Sequence, residues 1–482
     1  MNLEEYSRYD GLGLAQLVHE GQISRRELAL AGLKAIAAAN PALNAVIETY
    51  DHAADAAAPE VDRDAPFAGV PFLLKDIGSH DADVRFELGS RLAAGLKAPP
   101  FASELVNRFR KSGVTILGRT NIPELGSSCT TEPILYGATR NPWNPHRTPG
   151  GSSGGAAAAV ASGMVPMAHA NDAGGSIRWP ASCCAVFGLK PSRNLNPMGP
   201  DAALAVNGLA AEHIVSRTVR DSAAMLDVTA GPDVGAWCHT PRLAGSYLEA
   251  MQRPPGRLRI ALDLVASFPA TTVDAEVVAA IRSTAKLCES LGHEVEEATV
   301  AFDHAAVLEA FSIIWSTGLC AAVEFIARLT GRAAGADTLE PHLLAACRDG
   351  GSISAARLQG ALEQMNTVAR AYGRMFQKYD VILTPAGASE PFPLGVIDKI
   401  KTDTFYDWFI GMCSHCPFLS SVNIAGVPAM SVPLGWSSRG LPIGSHFVAT
   451  MGAEPLLLQL AAQLESAQPW IHRRPGHHVA GF

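Results

Sequence analysis

The chain has 482 residues, 48% of them apolar and only 17% charged, so it is long enough to bury an extensive core. Its net charge of −8 and the lack of a long basic run argue against nucleic acid or an anionic membrane as its main partner. No stretch approaches the roughly 18 uninterrupted apolar residues of a transmembrane helix. The N-terminal residues lack the features of a signal peptide, and the nine cysteines follow no disulfide framework. We therefore expect a cytoplasmic protein with free, buried thiols.

The predicted elements, in chain order, combine helices with short strands. Ser24 and Glu27 have the spacing of a capping box ahead of an apolar helical face. Two helices are predicted in 12–38, further helices at 103–111, 156–161, 274–291 and 454–464, and strands at 67–75, 114–118, 258–262 and 381–383. Residues 304–376 are mostly helical and predict a cap or insertion. The alternation of strand, helix and strand predicts an α/β fold with largely parallel pairing.

Two serines in glycine-rich stretches carry the strongest chemical signal. Ser152 lies in the stretch Thr-Pro-Gly-Gly-Ser-Ser-Gly-Gly, and Ser176 follows 24 residues later in Asp-Ala-Gly-Gly-Ser. Lys75 ends the apolar run Val-Pro-Phe-Leu-Leu-Lys. A serine needs a base within hydrogen-bond reach to become a nucleophile. A lysine can be that base only if desolvation leaves it neutral, and the apolar run before Lys75 favours such desolvation.

The turn before Ser176 predicts an oxyanion hole. Acyl transfer requires donors directed at the developing oxyanion, and backbone N–H groups need no reorganisation to provide them. Small residues also allow a substrate carbonyl to approach the main chain closely. The N–H groups of Ala173, Gly174, Gly175 and Ser176 are therefore the candidates. The alternative is a plain tight turn without a catalytic role.

Two other kinds of site are possible for the loop around Ser152, and both fail on context. Gly-x-Ser-x-Gly at 150–154 satisfies the nucleophile elbow of α/β-hydrolases, which requires a strand before the serine. The preceding residues 140–149 contain three prolines and cannot form a central strand. A phosphate-binding loop is also excluded, because no Gly-Lys-Ser/Thr follows the glycines.

Together these motifs resemble those of the amidase signature family. The lysine motif, the Gly-Gly-Ser-Ser-Gly-Gly loop, the spacing of 24 residues and the Asp-x-Gly-Gly-Ser-x-Arg turn occur in the family's order, and residues 423–444 resemble its C-terminal region. The resemblance implies the amidase signature fold, a large mixed, mostly parallel sheet covered by helices. It implies a single domain over 1–482, with the cap or insertion at about 304–376 inside it.

The resemblance also assigns roles to the three residues. Ser176 resembles the nucleophile, Ser152 the bridging serine, which has a cis peptide bond in the family, and Lys75 the base. The mechanism implied is a serine acyl-enzyme reaction that uses no cofactor. Asn171 departs from the threonine or serine common at its position, although an amide can still hydrogen-bond to the lysine and serines.

Two further features near these motifs are predicted to be structural. Asp172 and Arg178 are expected to pair and brace the turn. Cys413-Ser-His-Cys416 is a single C-x-x-C, which is weak evidence for zinc without a second ligand pair. We expect Cys413 and Cys416 to be buried core residues and predict no metal site.

The substrate is predicted from motif details and from the apolar stretches. Residues 131–144 and 180–192 resemble the 6-aminohexanoate-cyclic-dimer hydrolases, the nylon-oligomer branch of the family. The stretch 408–418, expected by resemblance to lie near the substrate, contains neither an acid nor a strong base. Trp315 and Cys320 on the cap would add apolar surface, unless these stretches are simply core. Gly126 is a third substrate-binding candidate, at the end of the loop after the second strand of this region.

We therefore predict an amidase that hydrolyses uncharged, hydrophobic or cyclic amides, with a small-molecule substrate as its partner and a homodimeric assembly. Carbamates and aryl acylamides are alternative substrates. A glutaminase subunit of a glutamyl-tRNA amidotransferase is another alternative, but it must hold both charged groups of glutamine. A catalytically silent scaffold is disfavoured because all three triad residues are retained.

Overall fold

A computed structural model describes residues 1–54, 64–268 and 271–481. The helices within these ranges are α1 (Leu3–Tyr6), α2 (Gly11–His19), α3 (Arg25–Leu43), α4 (Glu104–Lys111), α5 (Gly154–Ala161), α6 (Arg178–Cys184), α7 (Val219–Thr229), α8 (Tyr247–Ala250), α9 (Ala275–Ser290), α10 (His304–Thr330), α11 (Pro341–Gly351), α12 (Ala355–Met375), α13 (Phe405–Cys413), α14 (Ser420–Ala425) and α15 (Glu454–Ala467). The strands are β1 (Val46–Thr49), β2 (Pro71–Lys75), β3 (Thr115–Thr120), β4 (Met167–Asp172), β5 (Phe187–Lys190), β6 (Ala211–Ser216), β7 (Arg259–Leu262), β8 (Glu294–Glu297), β9 (Val381–Pro385), β10 (Ala429–Trp436) and β11 (Pro442–Ala449).

The strands form two sheets, and the larger one is mixed rather than mostly parallel. A three-stranded sheet has the order β1-β3-β2, and an eight-stranded sheet has the order β4-β6-β5-β10-β11-β9-β7-β8. In the larger sheet only β7 with β8 and β7 with β9 pair in parallel, whereas the other five pairings are antiparallel. The predicted parallel majority was therefore wrong. Strand–helix–strand alternation correctly predicts β2 beside β3, but β6 lies between β4 and β5 and is antiparallel to both.

The large sheet separates two apolar cores. Alternate residues of β9 show this directly, because Val381 and Leu383 join one core and Ile382 joins the other. The first core is closed by α7, α9 and α15. The second contains buried residues of α5, α6, α10 and α12, and it surrounds the glycine-rich segments. The chemistry predicted from the sequence therefore lies on the α5 and α6 side of the sheet.

The helices agree closely with the sequence predictions. The capping box of α3 is present, with Ser24 accepting from the Glu27 N–H and Glu27 accepting from the Ser24 N–H. Region 304–376 contains α10, α11 and α12 and no strand. By length and composition α10 could cross a membrane, but 67% of its most apolar window is buried inside the protein. Its apolar character is explained by packing onto the core of this chain.

Candidate active site

Strand β2 carries Lys75 into the interior. All five residues of β2 are buried, and Lys75 is only 1% exposed. Its Nζ lies 2.8 Å from the Oγ atoms of both Ser152 and Ser153 and 2.6 Å from Asn171 Oδ1. The lysine predicted from the sequence therefore contacts Ser152 directly, and the amide of Asn171 takes part in the network.

Burial changes the protonation of this lysine. Desolvation lowers the pKa of Lys75 to about 7, although the negative charges of Glu212 and Asp172 act in the opposite direction. A lysine with such a pKa is neutral in a large fraction of molecules at physiological pH. The site can therefore supply a basic amine in contact with a serine hydroxyl.

The loop before α5 brings Ser152 to the lysine. The peptide bond between Gly151 and Ser152 is cis, as the family resemblance implied. A Cβ on Gly151 would lie 2.6 Å from the Ser128 carbonyl oxygen, so only glycine fits there. The Ser153 N–H donates to the Ser176 carbonyl oxygen at 3.3 Å, which joins the two glycine-rich segments. Both serines predicted from the sequence therefore belong to one site.

The turn between β4 and α6 is organised by the Asp172 carboxylate. It accepts hydrogen bonds from the N–H groups of Gly175 at 2.7 Å and Ile177 at 3.1 Å. It also pairs with the buried Arg178 guanidinium, whose Nε lies 2.9 Å from Asp172 Oδ2. Desolvation raises the pKa of Asp172, but the Arg178 guanidinium outweighs it, together with the charge of Lys190 and a hydrogen bond from the Asn423 amide, and holds this pKa well below its usual range. The predicted pairing of Asp172 with Arg178 is present and braces the turn that holds Ser176.

This turn narrows the choice of oxyanion donors. The Gly175 N–H is engaged by Asp172, so it is directed into the turn and does not fit the predicted role. The turn requires glycine at position 175 for a different reason. Its φ of 132° favours glycine, and a Cβ would lie 2.7 Å from Leu419 Cδ1. The N–H groups of Ala173, Gly174 and Ser176 donate to no other group in the described ranges of the chain. They remain the candidates for binding an oxyanion.

A cavity of about 350 Å³ opens onto these residues. Ser152, Ser176 and Asn171 lie in its wall together with Ala173. Its other lining residues are Ile77, Gly78, Phe86, Leu88, Leu125, Gly126, Ala205, Val206, Ala210, Glu212, Trp315, Gly318, Leu319, Ala322 and Ile326. The wall is thus mainly apolar, and Glu212 is its one charged side chain among the residues that the structure describes.

Comparisons with known proteins identify the family. The family model described as Amidase matches residues 27–458. A 6-aminohexanoate-cyclic-dimer hydrolase of Paenarthrobacter ureafaciens is 35% identical over 478 residues, which cover 97% of this chain and 96% of the relative. This chain belongs to the amidase signature family.

Solved structures are similar to this amidase over nearly its whole length. A 6-aminohexanoate cyclic dimer hydrolase complexed with substrate has a TM-score of 0.92 and 34% identity, and the match covers 98% of this chain and 99% of that one. A bacterial aryl acylamidase of the amidase signature family has a TM-score of 0.86 and 26% identity, with 96% of each chain covered. The amidase fold predicted from the motifs, a large mixed sheet with helices, is confirmed, and the chain is an amide-cleaving hydrolase.

The structure separates the three predicted substrate-binding residues of the amidase. Gly126 and Trp315 line the cavity, but Cys320 does not. The Cys320 Sγ lies 3.5 Å from the Cys347 carbonyl oxygen, against α11. Five residues along a helix correspond to a rotation of about 140° between Trp315 and Cys320, so the two side chains face different neighbours. Cys320 is therefore not part of this cavity wall, and its role in substrate binding stays a prediction.

The stretch 408–418 does not line this cavity. Phe409 lies behind its wall, with its ring 6.0 Å from that of Trp315. Cys413 and Cys416 are buried, as expected for core cysteines. No group of three or more metal-binding side chains occurs in 1–54, 64–268 and 271–481.

Sequence reasoning missed Ser153, His169 and Glu212 in the amidase site. Ser153 is the second serine of the same motif, and its contact with Lys75 is as short as that of Ser152. His169 and Glu212 lie on β4 and β6, which are far apart in sequence and carry no recognisable catalytic motif. Only the pairing register of these two strands brings Glu212 opposite Asn171.

Proposed function

We propose that this amidase cleaves uncharged, hydrophobic or cyclic amides through a Ser176 acyl-enzyme, with Ser152 and Lys75 moving the proton. The observation that carries the proposal is the contact of 2.8 Å between Lys75 Nζ and Ser152 Oγ at the wall of a cavity that also contains Ser176. The lowered pKa of Lys75 supports it, because the base must be neutral to accept a proton.

Acylation begins with the attack of Ser176 Oγ on the substrate carbonyl carbon. As the new C–O bond forms, Ser176 gives its proton to Ser152, and Ser152 gives its own to Lys75 Nζ. The negative charge that develops on the carbonyl oxygen is stabilised by the N–H groups of Ala173, Gly174 and Ser176. These N–H groups are fixed by the turn, so they bind the oxyanion without reorganisation.

Collapse of the tetrahedral intermediate breaks the C–N bond. The leaving nitrogen takes the proton back from protonated Lys75 through Ser152, and the amine departs. Water then attacks the carbonyl carbon of the Ser176 ester and gives a proton to Lys75 through Ser152. Protonated Lys75 returns a proton through Ser152 to the Ser176 oxygen as the ester C–O bond breaks. The carboxylic acid is released, and Ser176 regains its proton.

The cavity favours substrates without charge. Glutamine presents an α-ammonium and an α-carboxylate, and a pocket that selects it needs fixed charges of both signs. Glu212 supplies one negative charge, whereas no Lys or Arg lines the cavity within the described part of the chain. Binding energy must come mainly from apolar burial, at about 25 cal/mol per Å². This supports hydrophobic or cyclic amides over glutamine.

Aryl acylamides are the second candidate substrates. Phe86 and Trp315 line the cavity, and aromatic rings prefer to pack against aromatic side chains. The similarity to a bacterial aryl acylamidase also supports this class.

The cytoplasmic location, the homodimer and the single domain over 1–482 stay predictions.

A substrate panel tests the proposal. Release of amine or ammonia is measured with a cyclic diamide, a medium-chain aryl amide, an aryl carbamate and glutamine, beside a Ser176→Ala variant as the control. We expect the cyclic diamide and the aryl amide to be cleaved faster than glutamine, and no turnover by Ser176→Ala. Faster cleavage of glutamine would overturn the substrate assignment, and full activity of Ser176→Ala would overturn the mechanism.

A further inference from the structure

The protons around Lys75 can be counted from the four contacts of its Nζ, of which the one to the Asn171 carbonyl oxygen is the longest, at 3.4 Å, and is set aside in the count. The Ser153 Oγ lies 3.2 Å from the Asn171 carbonyl oxygen and donates its only proton there, so it can only accept from Lys75. The Asn171 Oδ1 is an amide oxygen and also only accepts. A neutral lysine has two N–H donors and one lone pair. The donors are thus used by Ser153 and Asn171, and the lone pair is left for the Ser152 hydroxyl.

This count depends on which end of the Asn171 amide faces the lysine. The Asn171 Nδ2 donates to the Ile77 carbonyl oxygen at 2.9 Å and to Glu212 Oε1 at 3.2 Å. If the amide turned over, its NH2 group would face Lys75 Nζ and compete for the lone pair. The Ile77 carbonyl oxygen and the Glu212 carboxylate prevent this rotation, because both accept hydrogen bonds from the Asn171 NH2 group. Glu212 is the charged acceptor of the two.

Glu212 is also hydrogen-bonded to His169, which in turn binds the backbone of Lys75. The Lys75 backbone N–H donates to His169 Nδ1 at 3.2 Å, so the proton of the neutral ring is on Nε2. That N–H donates to Glu212 Oε2 at 2.6 Å. His169 is 0% exposed and Glu212 only 4% exposed, so neither contact competes with bulk water. A closed ring of contacts therefore joins Lys75, Asn171, Glu212 and His169.

Strand geometry explains why these side chains meet. β4 and β6 are antiparallel neighbours, and Asn171 lies directly opposite Glu212 in their register. His169 precedes Asn171 by two positions on the same strand, so both side chains lie on one face of the sheet. Glu212 reaches both of them from the partner strand.

We propose that Glu212 is a positioning residue of this amidase, which locks the Asn171 amide so that the lone pair of neutral Lys75 is directed at Ser152. The proposal rests on the proposed function, in which Lys75 is the base. It assigns Glu212 no contact with the reacting atoms. Its negative charge has a second effect, because it favours the protonated form of Lys75 and thereby sets the pH at which the base becomes available.

The charges around Lys75 allow this second effect to be measured. Asp172 on β4 is the other carboxylate that raises the pKa of Lys75, and it is neutralised by Arg178. His169 accepts from the lysine backbone as a neutral ring. Glu212 is therefore the residue whose charge can be removed without breaking the turn that holds Ser176.

The test uses a fluorophosphonate probe, so it needs no knowledge of the natural substrate. Ser176 Oγ forms a bond to phosphorus, fluoride leaves, and the serine proton passes to the base. The rate of labelling is measured against pH for the wild type, Glu212→Gln and Glu212→Asp, and mass spectrometry locates the label. The matched control is Glu340→Gln, a partly buried carboxylate, which lies in a separate cavity lined by Pro341 and Asp398.

We expect Glu212→Gln to lower the plateau rate at least about tenfold and to move the midpoint of the pH profile down by on the order of one pH unit. Glu212→Asp keeps the charge and should keep the wild-type midpoint with a smaller loss of rate. Glu340→Gln should match the wild type. If Glu212→Gln does not fold, Asn171→Ala tests the same hydrogen-bond path from Glu212 to Lys75. It should lower the plateau rate by a similar factor.

The possible failures are distinguishable. A wild-type enzyme that is not labelled at Ser176 overturns the proposed mechanism itself. Labelling of Ser176 with an unchanged plateau rate in Glu212→Gln overturns the positioning role alone, and an unchanged midpoint overturns the effect of the Glu212 charge on Lys75. Equal changes in Glu212→Gln and Glu340→Gln would also overturn the positioning role, because the effect would then be one of general stability.

Discussion

Gly318 provides a test in which stability and activity change in opposite directions. It lies inside α10 and lines the cavity, and a Cβ built on it would meet no atom within 4 Å. A glycine inside a helix costs about 1 kcal/mol relative to alanine. No neighbour in the described ranges requires the absence of a side chain, so the space above Gly318 is available to substrate.

The expected magnitudes follow from this geometry. Gly318→Ala should raise the free energy of unfolding by about 1 kcal/mol. For a substrate that fills the space, the added methyl displaces about one methylene, at about 0.8 kcal/mol, which lowers kcat/KM about fourfold. Gly318→Leu displaces the equivalent of a buried leucine side chain, about 1.5–3 kcal/mol, and should lower kcat/KM by about 10-fold to 150-fold. A small acyl anilide should lose less than about twofold.

The assay compares kcat/KM for an acetanilide and for a bulky aryl amide, together with denaturant unfolding of each variant. Gly360→Ala is the matched control, because Gly360 lies on the exposed side of α12 and a Cβ there also meets no atom within 4 Å. It should stabilise the protein and leave kcat/KM unchanged for both substrates. Equal losses for the small and the bulky substrate in Gly318→Leu would refute the reasoning.

The remaining predictions concern the base, the serines and metal ions. Ser176→Ala and Lys75→Ala should each remove nearly all amide hydrolysis while circular dichroism remains that of the wild type, and Ser152→Ala should leave more residual turnover because a water molecule can bridge the proton path. The value of kcat/KM should rise with pH along one limb with its midpoint near 7, because only the neutral form of Lys75 accepts a proton and its pKa is lowered to about 7. An activity that falls across this range would contradict the assignment of Lys75 as the base. Chelators should not change the rate, and a loss of activity that zinc restores would implicate Cys413, His415 and Cys416.

Local patterns predicted the helices well and the sheet only in part. The capping box at Ser24 and the apolar face of the helix that follows it depend on residues three or four positions apart, which the sequence displays directly. The position of β6 between β4 and β5 depends on pairing between strands about 40 residues apart. The hairpin of β10 and β11 was likewise not predicted, because the late stretch was interpreted by family resemblance alone.

The candidate site shows the same division between local and long-range information. The motifs predicted that Lys75 and Ser152 belong to one site with Ser176, but they did not predict the equally short contact between Lys75 and Ser153. Trp315 and Cys320 could not be separated by composition, because both are apolar and only the orientation of α10 decides which one faces the cavity. Glu212 carries no signal at all until the strand register is known.

The charge balance around Lys75 explains why this lysine can act as a base near neutral pH. With an ordinary pKa of 10.5, about one lysine in three thousand is neutral at pH 7, whereas a pKa of about 7 leaves about half of them neutral. Desolvation supplies the change, and two nearby carboxylates oppose it. Asp172 is neutralised by Arg178, and Glu212 receives N–H donors from His169 and Asn171. Because both carboxylates are bound to other partners, neither forms an ion pair with Lys75 that would keep it protonated.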